Sequence, residues 1–298
     1  MNENITPVVT RKLKRDHVGD YVIMVILGLF AILTFYPMWY VVVGSFSNGA
    51  DYMSGGVYFF PRVFTLDNYK AIVQSSAVWR SLGVTVARCA LGPTISVLFT
   101  AFVAYGMSRK ELRFKKFFNL AGIITMFFGG GLIPYYLLCK ILGFINNFLV
   151  YIIPGAYSVY NMILIRSFFR NMPEELHEAT VLDGASEYLI FFKFMIPLSM
   201  PILTTIFLWS LVAHWNDYLT SMMYLPTAPK LHTLQYVLQK IISNADGSTD
   251  SMLGISSSVT SESVSFAAMV FGTIPIIVMY PFMQKHFVSG IYVGSLKG

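Results

Sequence analysis

Charge is scarce in this sequence. Of 298 residues only 12% are Asp, Glu, Lys or Arg, against 55% hydrophobic, and the mean hydropathy is +0.62. A soluble domain carries roughly twice that charged fraction, about 25%. The chain therefore cannot cover its own surface with polar groups, and lipid is its expected solvent. Cysteine is rarer still. Cys89 and Cys139 each stand alone in apolar sequence, which leaves no disulfide framework or cysteine zinc site and makes both small packing residues. The five histidines (His17, His177, His214, His232 and His286) fall on different segments without an H-E-x-x-H pair, so no metal site is expected. No G-x-x-x-x-G-K-[ST] occurs, so the chain has no phosphate-cradling loop of its own. The glycines of "FFGGGLIP" (127–134) lie inside an apolar stretch and lack the lysine; they read as flexibility or close packing. No repeat of solenoid or propeller period is present.

What the sequence does contain is grease in long runs. Six apolar stretches, 20–45, 80–108, 117–139, 147–169, 194–219 and 263–285, each approach or exceed the ~20 residues a membrane-spanning helix needs. The first follows a basic start, as a signal peptide would, but Tyr21–Val43 has no interior charge and is too long for a signal core. It reads as a retained span. The expected fold is an all-α polytopic membrane protein with six transmembrane helices. Its parts are a tail (1–19), a first span (20–45), an outer loop (46–79), a core (80–285) containing a second outer loop (220–262), and a C-terminal tail (286–298). The net charge of +6 raises nucleic acid as a partner, but the basic residues mark one membrane side instead. Arg11, Lys12, Lys14, Arg15, Arg109, Lys110, Arg113, Lys115, Lys116, Arg166, Arg170, Lys193, Lys285 and Lys297 all fall there, 14 of 21. The positive-inside rule makes that side, and both termini, cytoplasmic.

The outer loops carry local signals. Thr65 to Val73 reads as a short helix capped by Thr65, with Asp67 in its first turn. "LHTLQYVLQKII" (231–242) is amphipathic, and the Ser/Asp/Gly tract after it cannot bury a core. Within the spans the ionisable residues are Arg88 and Asp217, with His214 one turn before Asp217. Such groups are expensive in a bilayer and are functional candidates by default. "HWNDYL" (214–219) places Trp215, Asn216 and Asp217 together. A flat apolar ring beside hydrogen-bonding groups suits a sugar, and the substrate pathway is the functional reading for His214, Trp215, Asn216, Asp217 and Arg88. The structural reading is an aromatic belt at a helix end. A relay of buried carboxylates, as an ion-coupled transporter requires, has only one Asp to support it.

One segment between spans is acidic. "PEELHEATVLDGASEYLIFFKFMIP" (173–197) opens with Pro173, which suits a first helical turn, and with Glu174 and Glu175 at the positive end of the helix dipole. Gly184 fits a helix stop, and Ser186 can cap a second helix. Surface helices on the anionic inner leaflet are usually basic, so an acidic one fits a protein partner better. The segment resembles the E-A-A-x3-G-x9-I-x-L-P loop of ABC-importer permeases: Glu178-Ala179-Thr180, then Gly184, then Phe194-Met195-Ile196-Pro197, with Thr180, Phe194 and Ile196 as mild departures. Residues 15–298 are similar to the maltose-type sugar permease subunit, in "TLDNYKAI", "RSFFRNMPEELHEAT", "WNDYL" and "MYPFMQKHFVSGIYVGSLKG". "LPTAPKLHTLQYVLQKIIS" looks closer to the branch that imports alginate, pectin fragments and other complex oligosaccharides.

The resemblance implies a type I ABC importer transmembrane subunit in the bacterial cytoplasmic (inner) membrane. It implies a second, homologous permease subunit, two ABC ATPase subunits that bind ATP and Mg, and an extracytoplasmic solute-binding protein that delivers the sugar. This chain would hold no cofactor and perform no covalent chemistry. The loop 173–187 would be its coupling element, with Glu174, Glu175, Glu178, Ala179, Thr180, Asp183, Gly184 and Ala185 at the ATPase contact. A proton-coupled secondary transporter and a scaffold or sensor subunit are the competing classes. Arg88, Lys230 and Lys240 do not decide whether the sugar is acidic.

Overall fold

The structure is a computed structural model describing residues 17–56, 58–243 and 259–295, in backbone alone beyond Pro281. The basic cluster from Arg11 to Arg15 and residues 244–258 of the polar tract lie outside the described residues. Among the described residues there is no β-strand beyond one isolated bridge, Ser47 to Phe64.

Three helices are long and apolar enough to cross a membrane alone. They are α1 (His17–Ser45), a central helix (Ser76–Ser108) and the last helix (Ser261–Ser295), which runs on past residue 285. Between the first two lie α2 (Gly49–Met53) and α3 (Asp67–Gln74), which make the central helix α4. Thr65 Oγ1 accepts the Asp67 N–H at 3.1 Å, just ahead of α3.

Two further apolar stretches form bent pairs, so the number of crossings rises to five if each pair is one span. The stretch expected at 117–139 is α5 (Lys115–Phe127) and α6 (Leu132–Ile141), meeting at 114°. The cause is local. Glycine has poor helix propensity, and Gly131 at φ 84° takes the chain out of the helical region altogether. The stretch expected at 147–169 is not one helix either. A 3₁₀ turn, Phe148–Tyr151, gives way at Pro154–Gly155, and α7 (Val159–Arg170) has only 12 residues. After α8 (Glu174–Leu182) comes α9 (Glu187–Leu198), with a π-helical turn at Phe191–Met195 ahead of Pro197. It meets α10 (Met200–Asn216) at 79°. Both prolines near the bend, Pro197 and Pro201, lack the N–H that a continuous helix would use. The chain then runs through α11 (Leu219–Tyr224), α12 (Leu234–Ser243) and the last helix, α13.

The central helix organises the rest. At 33 residues it is about 50 Å long. Its buried positions include Ser81, Thr85, Cys89, Gly92, Ser96, Thr100 and Ala104, a stripe of small residues three or four apart. Such stripes let helix backbones approach closely in a membrane, where burial against lipid supplies little drive. Along its first half, α3, α12, Trp215 and α13 form one apolar cluster; along its second half, α7, α9 and α10 form another. The α12 residues Leu234, Val237, Leu238 and Ile241 are buried, the i, i+3, i+4, i+7 face its sequence announces. The α12 start is pinned because the Leu234 N–H donates to Thr85 Oγ1 at 2.8 Å.

At the pole where α1 ends, α3 and α13 are held by one buried amide. Asn68 Nδ2 donates to the carbonyls of Ser45 and Ser47 at 3.0 and 2.9 Å, and its Oδ1 accepts from Ser263 Oγ at 2.9 Å. Asn68→Ala strands those groups away from water. We expect a loss of about 2–4 kcal/mol, since each unsatisfied buried group costs about 1–3 kcal/mol, read as a lower denaturation midpoint of the purified protein. An unchanged midpoint contradicts this assignment.

Candidate functional site

Two polar constellations sit along α4, one at its C-terminal end and one in its N-terminal half. The first surrounds α8, a nine-residue helix whose first turn holds Glu174 and Glu175. Its C-terminus is a complete Schellman closure: Gly184, at φ 79°, donates to Val181 O at 2.9 Å, and the Ala185 N–H donates to Thr180 O at 3.1 Å. A residue in the left-handed region is needed there, and glycine enters it without steric cost. Ser186 Oγ then accepts the Leu189 N–H at 3.4 Å, capping α9. Glu174, Glu175, Glu178, Ala179 and Asp183 are exposed, as are Val181 and Leu182, the latter at 88%. Thr180 alone of the described α8 side chains is buried, its hydroxyl donating to His177 O at 2.8 Å.

One ion pair and one hydrogen bond tie this unit to neighbouring elements. Lys110 Nζ, just after α4, meets Glu174 Oε2 at 2.5 Å, and His177 Nε2 meets Glu187 Oε1 at 3.1 Å. The hydrogen bond from Lys110 and its charge hold the Glu174 carboxyl below its ordinary range, and the same pair raises Lys110. A depressed carboxylate contributes above its unpaired pKa and loses that contribution as pH falls through the lowered value. The tie is therefore intact at neutral pH and opens in acid. Tyr105 hydroxyl donates to Glu187 Oε2, and Arg109 Nη2 donates to the Tyr105 hydroxyl at 2.8 Å. Sequence reasoning missed Tyr105, Arg109 and Glu187 as a group. Their only signal is an aromatic and a basic residue one turn apart at the end of an apolar run.

The second constellation lies about 25 Å back along α4, estimated from 1.5 Å of rise per residue. Arg88 is 4% exposed. Its Nε donates to His214 Nδ1 at 3.1 Å, Nη1 to the Asp217 carbonyl at 3.1 Å, and Nη2 to Asp217 Oδ2. The guanidinium also stands 4.5 Å from the centre of the Tyr151 ring. Asp217 is itself fixed by Thr220, whose N–H donates to Oδ1 at 3.0 Å and whose hydroxyl donates to Oδ2 at 2.5 Å. Gly92 makes room for this arrangement: a Cβ there would stand 2.3 Å from His214 Cε1. Arg88, His214, Asp217, Tyr135, Tyr151 and Tyr224 are among the walls of a cavity of about 250 Å³.

The structure thus joins Arg88, His214 and Asp217 and separates the other two residues expected beside them. Trp215 is buried in the apolar cluster with Nε1 donating to Gly272 O at 3.1 Å, so its ring offers no platform to a sugar. Exposed Asn216 turns back to Val212 O of its own helix at 2.9 Å. Helical spacing explains this: residues 214, 215 and 216 point about 100° apart. The aromatic rings at the cavity wall are those of Tyr135, Tyr151 and Tyr224. Among the described residues no group of His, Cys, Asp or Glu is placed to hold a metal ion. Lys240 stands over the Tyr236 ring at 4.9 Å, and Lys230 is exposed; neither lines the cavity.

A polytopic helical chain with bent spans, a buried polar cluster along them and an exposed acidic helix at one pole has the make-up of a membrane transport subunit. Comparison with known proteins identifies which kind. Residues 9–292 match the family described as "Binding-protein-dependent transport system inner membrane component", and the chain belongs to that family. It is 33% identical over 286 residues to the Polygalacturonan/rhamnogalacturonan transport system permease protein YtcP of Bacillus subtilis (strain 168), covering 95% of this chain and 100% of that one. It is 25% identical to the Arabinooligosaccharides transport system permease protein AraQ of Halalkalibacterium halodurans, covering 96% and 100%. A solved structure, "Crystal structure of a bacterial ABC transporter involved in the import of the acidic polysaccharide alginate", superposes with a TM-score of 0.84 at 31% identity, covering 95% of this chain and 100% of that one. The fold is that of a type I ABC importer permease, a multi-pass membrane protein.

The Arg88 cluster generates a direct test. Asp217→Asn keeps the shape but leaves a buried guanidinium without its counter-charge. Breaking one side of a buried pair costs about 3–5 kcal/mol, and we expect the lower end because Asp217 is a quarter exposed. The variant should unfold earlier on heating, and Arg88→Met should make it no worse. Additive losses in that double-mutant cycle would show that the two residues do not act together.

Proposed function

We propose that this chain is the membrane-spanning permease subunit of an ATP-driven, binding-protein-dependent importer of an oligosaccharide. The observation that carries the proposal is α8. It is short, acidic and exposed, held at a set angle to α9 by the Schellman closure at Gly184. In this reading α8 is the coupling helix, seated on one of two ATPase subunits that bind ATP and Mg. The relatives' names, an arabinooligosaccharide permease and a polygalacturonan/rhamnogalacturonan permease among them, support the substrate class.

The full set of crossings is six: α1, α4, the α5–α6 pair, the stretch from Phe148 to Arg170, the α9–α10 pair and α13. Both termini and α8 face the cytoplasm, where Lys110, Arg113, Lys115, Lys116 and Arg170 cluster in accord with the positive-inside rule. A second, homologous permease subunit completes the path, and an extracytoplasmic binding protein delivers the sugar at the α3 and α12 pole. The cavity beside Arg88 belongs to the wall of that path. No nucleotide loop motif occurs in this chain, so the work arrives through α8 from the ATPase subunits.

Gly184→Val tests the reading. A Cβ at Gly184 meets nothing within 4 Å, so the substitution acts through the backbone and not through a clash. The left-handed conformation costs a side-chain-bearing residue about 1–2 kcal/mol, and a β-branched one is a pronounced outlier there. The variant should reach the membrane at the parent's level, hold its ATPase subunits roughly tenfold more weakly and lose uptake. Normal ATPase co-purification and uptake would reject α8 as the coupling helix.

A further inference from the structure

Most described side chains of α8 are exposed, while Thr180 is buried and Met172 and Ala185 at its two ends pack against an apolar cluster. A cavity of about 460 Å³ lies behind it, between its inner side and the ends of α4, α7 and α9, with Arg109, Phe169, Glu174, His177, Phe194 and Met195 among its walls. Alongside the packing at its ends, polar ties join α8 to α4 and α9. Of these, Lys110–Glu174 has both side chains exposed, 76% and 54%, and such pairs contribute little. Glu187 is 57% exposed too, but its partners His177 and Arg109 are 22% and 24%.

The other tie is built differently. Glu187, in the first turn of α9, offers one carboxylate oxygen to His177 of α8 at 3.1 Å and the other to the Tyr105 hydroxyl of α4. Arg109 holds the same hydroxyl at 2.8 Å and stands 3.8 Å from the carboxylate. Tyr105 is 5% exposed, with its ring against Phe169 of α7 and Phe191 of α9 at centroid distances of 6.1 and 5.4 Å. One carboxylate thus joins three helices, anchored on a ring embedded in the core. About 25 Å further along α4, Arg88 clamps the helix to the end of α10 and to Asp217. One continuous helix, with Pro93 inside it, joins the two clamps.

We propose that Tyr105 and Glu187 are positioning residues that pass the displacement of α8 to α4, and through it to the cavity beside Arg88. This rests on the reading of α8 as the ATPase-docking helix. Tyr105→Phe removes one hydroxyl and keeps the ring packing, so the protein should fold; Glu187→Gln keeps the side-chain shape.

The test uses the assembled importer, with Cys89→Ala, Cys139→Ala and a reporter Gly155→Cys in the wall of the Arg88 cavity. The rate of maleimide labelling at residue 155 is measured with and without ATP plus orthovanadate. In this parent, trapping should change the rate by roughly fivefold or more, the lower edge of ordinary coupling factors. Tyr105→Phe and Glu187→Gln should each remove most of that change while the ATPase subunits still co-purify, and the double variant should do no more than either alone. A full nucleotide response in either variant, additive effects, or loss of bound ATPase in Tyr105→Phe would overturn the proposal. Absence of any nucleotide response in the parent, or no ATPase co-purifying with it, would overturn the coupling-helix reading itself.

Discussion

The close approach of other helices to α4 is the constraint on which the rest of the structure depends. Lipid chains are as apolar as leucine, so helices in a bilayer gain little from burying grease against grease. They gain from contact, and contact requires small side chains. The stripe from Ser81 through Thr85, Cys89, Gly92, Ser96 and Thr100 to Ala104 supplies it. At Gly92 the requirement is most severe, because the His214 ring occupies the space a Cβ would take. That approach brings His214 and Asp217 within reach of Arg88, and a guanidinium 4% exposed has to find such partners to be tolerated at all.

The same helix carries both polar sites. Its far end carries Tyr105 in an apolar cluster with Ile165, Phe169, Ile190 and Phe191. Its near half sits in a second cluster with Trp215, Leu234 and Leu238. Each site is a set of hydrogen bonds to that one helix. The bends at Gly131 and around Ser199 fall on neighbouring spans, while α4 continues as one helix through Pro93.

Much of this was legible in the sequence, and the exceptions have physical causes. The spans that became α1, α4 and α13 announce themselves by length and apolarity alone. The closure at Gly184 and the cap of α9 follow from their residue types, whereas the N-cap position of α3 falls to Leu66 and Thr65, expected as the cap, stands one residue outside it. The bent stretches were not legible as bent, since composition reads the same for a straight helix and for two halves at 114°. The 147–169 stretch was read as helix because Pro154 and Gly155 are only two residues in an otherwise apolar run. In "HWNDYL" proximity in sequence misled: successive helical residues point different ways, and Trp215 went to the core while His214 went to the cavity. Tyr105 and Glu187 lie 82 residues apart, and no local pattern connects them.

The account turns on α8 being the surface through which ATP-derived work enters a chain that has no nucleotide loop. Leu182, 88% exposed at the end of that helix, is the place to ask. A photoreactive amino acid at position 182 in the purified, assembled importer should crosslink to an ATPase subunit, with a yield that changes when ATP and vanadate are added. Crosslinking only to lipid or to the second permease subunit, unaffected by nucleotide, would contradict the account.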